Sequence, residues 1–140
     1  MRQANCDYCS FECCQMSNVN FSGASLICAM FSRANLEGAI MRGCNFEDGR
    51  TGQGAVFEGA NLKGAQLEDS NLSRANLRVA SLREANLRNC NLRLAVLAGA
   101  DAQDANLENC NMDKVNLRGA NLVGAKFHGA TPVHSSAFMH

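Results

Sequence analysis

Residues 75–99 read ANLRV ASLRE ANLRN CNLRL AVLAG, a run of units of five residues. Each unit has a large apolar residue at its centre and a small residue, usually Ala, two places before it. The same spacing continues in both directions, from about residue 4 to about residue 130. It matches neither the period of about 3.6 residues of an α-helix nor the period of about two residues of a strand. Because so short a unit cannot bury a core alone, the sequence predicts copies stacked into a solenoid.

The units ANLKG at 60–64 and ANLRV at 75–79 resemble the A(D/N)LXX motif of pentapeptide repeat proteins, and similar units fill almost the whole chain. The resemblance implies an all-β fold, a right-handed quadrilateral β-helix in which each unit forms one side and four units close a coil. With coils about 4.8 Å apart, about six coils give a rod about 29 Å long. Four walls that converge on a narrow axis leave room for one large side chain per unit, which agrees with the small residue at the other inward position.

The repeat changes phase once. From Phe46 to Phe57 is eleven residues rather than ten, so one extra residue is expected in the glycine-rich segment Gly49–Gly54. Its glycines allow positive φ and a protruding loop. We predict one domain, residues 1–140, with repeats at about 4–130, the loop at 49–54 and a C-terminal tail at 131–140.

Charge and hydropathy agree with a soluble module. It has 13 basic and 13 acidic residues, no apolar run long enough to span a bilayer and no signal-peptide pattern at Met1-Arg2-Gln3. We expect an intracellular protein, cytoplasmic or nuclear, without membrane contact.

The eight cysteines are interpreted as packing residues of a reducing compartment. The inward small-residue position is filled by Cys9, Cys14, Cys44, Cys90 and Cys110. The last two lie in successive coils within disulfide range, but parallel stacking makes a bridge awkward, so free thiols are expected. Four thiols near the N-terminus are enough in number for a zinc site: Cys6, Cys9, Cys13 and Cys14. Their one C-x-x-C pair has no second such pair, so we expect no metal.

Catalytic residues are not apparent in the pattern. The three histidines, His128, His134 and His140, have no Ser, Cys or Asp partner at a recurrent spacing. The loop lacks the Lys-Ser/Thr ending of a phosphate-binding loop. We therefore expect neither an enzyme nor a cofactor.

Stacking of coils turns the exterior into columns. One column is predicted to alternate in charge, through Glu68, Arg88, Glu108 and His128. Arg93 should lie over Asp113, and a column of amides should link coils through Asn71, Asn91 and Asn111. Exposed ion pairs of this kind contribute only about 0–1 kcal/mol each.

A candidate binding patch departs from the polar exterior. Val56 and Val96 stand where Asn is usual, and Val79 and Leu94 fill the last outward position of their units. Three arginines surround them, Arg74, Arg78 and Arg93. Apolar residues with an arginine rim are typical of a protein-interaction surface, predicted here near one corner of the coil. Scattered exposed apolar residues are the ordinary alternative.

A narrower resemblance is carried by the segments at 45–48, 58–64, 76–80, 89–93 and 131–134. They look like the C-terminal pentapeptide domain of the ninth member of the KCTD (BTB/POZ) family. That family joins a BTB domain, which oligomerises and binds a cullin, to a part that recruits substrates for ubiquitination. The BTB part is absent from this chain. The resemblance implies a substrate-recognition module of a ubiquitin ligase adaptor.

The leading function is thus a non-catalytic protein-interaction module with a protein partner of unknown identity, a ubiquitination substrate among the candidates. DNA mimicry, as in topoisomerase-binding pentapeptide proteins, needs an acidic face that a neutral chain lacks. Nucleic acid is not expected, because Arg78, Arg83, Arg88 and Arg93 project from successive sides. A structural spacer and self-association stay open.

Overall fold

The computed structural model describes residues 1–131. Most of the predicted tail, with His134 and His140, lies outside the described residues. Two strands are present in the described part, β1 (Glu47–Asp48) and β2 (Gln53–Gly54), paired antiparallel with Glu47 opposite Gly54. Isolated parallel bridges join the rest of the chain. Within residues 1–131, no helix is long and apolar enough to cross a membrane.

The parallel bridges fall into four columns, and each column marks one side of a four-sided coil. Sides 1 and 2 run through Asn5, Ser25, Asn45, Asn71, Asn91 and Asn111, and through Ser10, Met30, Val56, Asn76, Val96 and Asn116. Sides 3 and 4 run through Gln15, Asn35, Asn61, Ser81, Asp101 and Asn121, and through Asn20, Ile40, Gln66, Asn86, Asn106 and Lys126. The successive members of a column define levels 1 to 6 of the rod.

Each unit therefore has three outward positions around its buried centre. The lead position precedes the central residue and carries the bridge, the following position comes after the centre, and the corner position ends the side. At the corner, the backbone turns: the N–H of Ala60 donates to the carbonyl of Phe57 at 3.0 Å, and Gly59 between them has φ +67°. Positive φ at the third residue of a turn is typical of type II.

Asn is frequent at the lead position because its side chain supports this turn. The Oδ1 atom of Asn76 accepts the N–H of Arg78 at 3.1 Å, and that of Asn91 accepts the N–H of Arg93 at 3.0 Å. These are Asx-type contacts, which stabilise turns locally. An amide also links levels, but just below the predicted column: Asn71 Nδ2 donates to Asn45 Oδ1 at 3.3 Å, and the amides of Asn71, Asn91 and Asn111 do not bond to one another among residues 1–131.

The core is filled by the central residues and the small residues before them. In the lower half, aromatic rings stack along side 2, with centroids 5.1 Å apart for Phe11 and Phe31 and 4.9 Å apart for Phe31 and Phe57. In the upper half, leucines replace them, and Leu87 and Leu97 have no exposed surface. The apolar stripe predicted from the period is therefore the buried interior.

The loop is longer than the sequence suggests. Bridge partners on either side of it lie 26 residues apart, as in Asn35 and Asn61, whereas partners elsewhere lie 20 apart. Six residues are inserted, and the expectation of one extra residue was wrong. A five-residue repeat determines only which positions point inward. An insertion of six residues leaves the same positions pointing inward as an insertion of one residue does. Phe46 and Phe57 consequently occupy adjacent sides, with ring centroids 5.3 Å apart.

The burial of each cysteine depends on its level in the rod. Cys44, Cys90 and Cys110 are buried, as predicted, and burial raises the pKa of the Cys44 and Cys110 thiols to about 11. Cys14 is exposed and Cys9 is half-buried, which corrects the expectation for these two. They lie on level 1, where no coil within the described residues covers the inward position from below.

The predicted ion pair between Arg93 and Asp113 is present, with Nε and Oδ2 3.3 Å apart. On side 4, the residues of the predicted charge column form no ion pair with one another among residues 1–131, and the ion pair present joins Glu68 to the level below it. There Arg42 Nε lies 2.8 Å from Glu68 Oε2.

Candidate functional site

Outward apolar side chains are distributed unequally over the four sides. Among the described residues, sides 3 and 4 have only two of them, Val123 and Ile40. Side 2 and its corner with side 1 carry most of the others. These others are Tyr8, Ile27, Met30, Val56, Val79, Leu94, Val96 and Ala98, of which Ile27 lies at the following position of side 1. The uneven distribution makes side 2 the candidate functional surface.

The predicted patch is spread across this surface rather than gathered at one corner. Val56 and Val96 occupy lead positions of side 2, two levels apart, with Asn76 between them. Leu94 lies at the corner between sides 1 and 2, and Val79 at the opposite corner of side 2. Val79 is 62% exposed, whereas the other three are half-buried. The stacking of lead side chains leaves them partly covered by their neighbours above and below.

Two of the three arginines are engaged within the chain. Arg74 Nε lies 3.8 Å from Glu47 Oε1 on β1, and its guanidinium lies against Gly52. Arg93 pairs with Asp113. Arg78, exposed at the following position of side 2, forms no ion pair among residues 1–131. Arg78 is thus the arginine that stays available to a partner.

Met30 is a surface residue that the sequence analysis missed. It is 37% exposed and bridges directly to Val56 on the next level of side 2. Like Val56, it stands at a lead position where Asn is usual. The sequence shows that Met30 stands in place of Asn. It does not show that Met30 contacts Val56, because the number of residues inserted in the loop is not evident from the repeat.

Val79 has an unusual backbone for its type. Its φ is +48°, and among the described residues with positive φ it is the one β-branched side chain. A β-branched residue in the left-handed region is strained, and strain of this kind concentrates at functional positions. Below and above it, the same corner position holds Gly59 and Gly99. The valine therefore projects between two glycines.

The loop is anchored to the same edge of side 2. The hydroxyl of Tyr8 donates to Asp48 Oδ2 at 2.8 Å, and the N–H of Arg50 donates to Asp48 Oδ1 at 2.9 Å. These bonds hold the pKa of the Asp48 carboxyl below its ordinary value, with the Arg50 N–H first and the Tyr8 hydroxyl second. The bond to Asp48 raises the pKa of Tyr8. Cys28 Sγ reaches the carbonyl of Gln53 at 3.6 Å.

A cleft of about 290 Å³ lies beside this anchor, and its lining includes Asp7 and Asp48. Both carboxylates are occupied, since Asp7 Oδ1 accepts the Ser25 hydroxyl at 2.5 Å and the Ile27 N–H at 3.0 Å. Within residues 1–131, no three His, Cys, Asp or Glu side chains are arranged to hold a metal ion. The N-terminal thiols illustrate this, with Cys6 buried and Cys13 exposed.

The four-sided coil agrees with comparison to known families. The family model described as pentapeptide repeats matches residues 1–38, 9–48, 53–89, 75–113 and 103–131. The chain belongs to the pentapeptide repeat family. Its neighbours imply a right-handed quadrilateral β-helix, as the resemblance had indicated. No curated protein matches the chain.

Solved pentapeptide repeat structures resemble it along most of its length. HetL, involved in heterocyst differentiation regulation in the cyanobacterium Nostoc sp. strain PCC 7120, is 30% identical, with 93% of this chain and 60% of HetL covered and a TM-score of 0.55. This chain therefore spans less than two thirds of HetL. A protein from the thylakoid lumen of Arabidopsis thaliana is 29% identical over 74% of this chain and 69% of its own, with a TM-score of 0.51.

A third structure, QnrB1, is a plasmid-mediated fluoroquinolone resistance protein. It is 22% identical over 92% of this chain and 72% of its own, with a TM-score of 0.57. At this identity, the likeness concerns the fold alone.

Proposed function

We propose that this pentapeptide repeat protein is a non-catalytic protein-recognition module, and that its binding surface is side 2 with the corner it shares with side 1. The observation that carries the proposal is the concentration of outward apolar side chains on this surface while sides 3 and 4 are polar. Protein interfaces have an apolar centre and a polar rim. Val56, Val96 and Leu94 supply the centre, and Arg78 supplies an available charge at the rim.

Rigidity supports this function. Every level is tied to the next by backbone hydrogen bonds, as in Val56 N–H to Ala29 carbonyl at 3.0 Å and Phe57 N–H to Asn76 carbonyl at 2.6 Å. A surface on such a scaffold is already ordered before binding, so little entropy is lost on association. The neutral balance of 13 basic and 13 acidic residues argues against imitation of nucleic acid.

The resemblance to the KCTD family suggests a finer version of the function. In this version, the partner is a ubiquitination substrate and the chain works inside the cell, in the cytoplasm or nucleus. Fusion of the chain to a BTB domain should then direct ubiquitination of a captured partner by a cullin ligase. Loss of that ubiquitination on substitution of Leu94 and Val96 would support this version, and unchanged ubiquitination would contradict it.

The test of the interaction surface is capture of partners by two matched variants. Leu94→Asp with Val96→Asn alters a corner and a lead position at side 2. Asn89→Asp with Ile40→Asn alters the same kinds of position at side 4. A partner that recognises side 2 should bind the first variant at least about fivefold more weakly, a loss of about 1 kcal/mol, and the second as it binds the parent. Equal binding by both variants would contradict the proposed surface.

A further inference from the structure

The charges in the following column of side 2 are segregated along the rod. From level 1 to level 6, the following position of this side holds Glu12, Ser32, Glu58, Arg78, Ala98 and Arg118. Both acidic residues lie in the lower half and both arginines in the upper half. None of the four forms an ion pair among residues 1–131. The column thus presents two negative charges toward its lower end and two positive charges toward its upper end, with the exposed Arg33 at the corner position beside its acidic half.

Two copies can face each other through side 2 about a two-fold axis that runs parallel to the bridged segments of that side. The order of levels in one copy is then reversed relative to the other, and each column faces the same column of the second copy. Level 1 of one copy then faces level 6 of the other, and level 3 faces level 4. In this arrangement, Glu12 faces Arg118 and Glu58 faces Arg78. Every charge in the column meets its opposite, and each contact occurs twice because the interface is isologous.

The lead column of side 2 adds one apolar contact under the same reversal. Met30 of one copy faces Val96 of the other, so two apolar residues meet, while Val56 faces Asn76. In the corner column, Val79 faces Gly59, and Arg33 faces Gly99. Both glycines are already covered within the chain, Gly59 by Arg33 and Gly99 by Val79, so this column adds no fit of its own.

We propose that side 2 binds side 2 of a second copy of this chain in this antiparallel arrangement. The inference rests on the proposed function, because it uses the same surface and specifies its partner. The complementary order of charge in the following column and the contact of Met30 with Val96 in the lead column agree on one axis.

The remaining sides lack this combination. The same reversal on side 1 would bring Asp7 against Asp113, and on side 3 it would bring Lys63 against Arg83, both repulsive. Side 4 has complementary charges, but its Glu68 is already paired with Arg42 within the chain. Side 4 also has little apolar surface. Side 2 is therefore the side suited to self-association.

The area of side 2 determines the expected strength of self-association. One side of a rod about 29 Å long is a narrow footprint, smaller than the roughly 800 Å² per partner of a standard stable interface. The dimer should accordingly be reversible and visible at high protein concentration.

Sedimentation equilibrium of the purified chain, over a concentration series with reducing agent, tests the inference. Glu58→Arg places an arginine opposite Arg78, and Arg78→Glu places a glutamate opposite Glu58. Each single variant should weaken self-association at least about tenfold. A mixture of the two variants should associate as the parent does, because both contacts are restored between unlike chains. Glu37→Arg, an exposed change on side 3, is the control and should leave association unchanged.

Monomers at every concentration would overturn the inference, as would a dimer insensitive to both single changes or a mixture that stays monomeric. Thermal unfolding of each variant shows that it is folded. The proposed function is judged separately, by captured partners. If the purified chain is monomeric and the side 2 variant still loses a captured protein, the second copy is ruled out while the recognition surface stands.

Discussion

Ser70 completes a turn that belongs to Cys44, one level below it. The N–H of Cys44 donates to the Ser70 hydroxyl oxygen at 3.1 Å, and that hydroxyl donates to the carbonyl of Met41 at 2.7 Å. The side chain of Ser70 is buried, so the bridge is made inside the core. At the equivalent turn two levels above that of Cys44, the N–H of Cys90 donates directly to the carbonyl of Leu87 at 3.1 Å.

The same corner stacks four polar small residues, Cys44, Ser70, Cys90 and Cys110. Each donates to a backbone carbonyl on the level below, as Cys90 Sγ does to Leu67 at 2.9 Å and Cys110 Sγ to Leu87 at 2.9 Å. The cysteines therefore provide hydrogen bonds as well as volume.

Replacement of Ser70 by Ala should destabilise the protein by about 1–3 kcal/mol, because a buried N–H and a buried carbonyl lose their shared partner. The free energy of unfolding from denaturant titration measures this. Ser81→Ala, at a half-buried lead position of side 3, is the matched control and should change it by less than about 0.5 kcal/mol. Equal effects of the two changes would show that the buried bridge contributes nothing.

Leu87→Ala should cost about 2–5 kcal/mol, since stacked coils cannot close around the cavity. Its neighbour Arg88 points outward, and Arg88→Ala should cost less than about 0.5 kcal/mol. Chemical unfolding midpoints of both variants provide the measurement. A midpoint for Leu87→Ala within experimental error of the parent would be incompatible with its burial.

Val79→Asn should raise the stability by about 1 kcal/mol, because Asn tolerates the left-handed conformation that strains valine. The reverse type of change, Glu84→Val at a corner with φ +59°, should lower the stability by a similar amount. Melting temperatures compare the two. A less stable Val79→Asn variant would mean that contacts of the valine outweigh its strain.

Tyr8 is the one tyrosine of the chain, which also has no tryptophan, so its titration can be followed by ultraviolet absorbance without interference. Its pKa should lie above the ordinary value of about 10, and Asp48→Asn should bring it back toward that value. Tyr8→Phe, a second variant, should raise the pKa of Asp48 toward its ordinary value. An unshifted Tyr8 in the parent would show that the hydroxyl does not bond to Asp48.

The same pair sets a pH dependence. The lowered pKa of Asp48 means that its contribution to stability is present above about pH 4 and is lost as the pH falls through its folded value. The raised pKa of Tyr8 means that its contribution is present below about pH 10 and is lost as the pH rises further. The difference in stability between the parent and Asp48→Asn should therefore shrink at both extremes.

The residues of the interior could be predicted from the sequence, because burial depends only on the position of a residue within its five-residue unit. Leu87, Leu97 and their equivalents recur every five residues, and no other element competes for them. The corner turns were harder to predict, because Asn at the lead position was interpreted only as part of a polar exterior. Its Oδ1 contact to the backbone two residues later depends on the turn geometry, which the period does not reveal.

The sequence predicted which surface residues lie next to one another on the same side of the loop, but not which residues lie next to one another across it. Val56 and Val96 were found because both depart from Asn and both follow the loop. Met30 departs in the same way, but its contact with Val56 requires six inserted residues rather than one. The loop contacts of Arg74 were likewise hidden, because they depend on where β1 and β2 fold back.

Side 2 is the surface through which we propose that this protein binds a second copy of itself. Amide chemical shifts of the isotope-labelled chain, recorded by NMR from dilute to concentrated solution, test this proposal most directly. We expect concentration-dependent shifts at Met30, Val56, Arg78 and Val96, with none at Arg88 and Glu108 on side 4. Shifts confined to side 4, or no shift anywhere up to the highest attainable concentration, would contradict it.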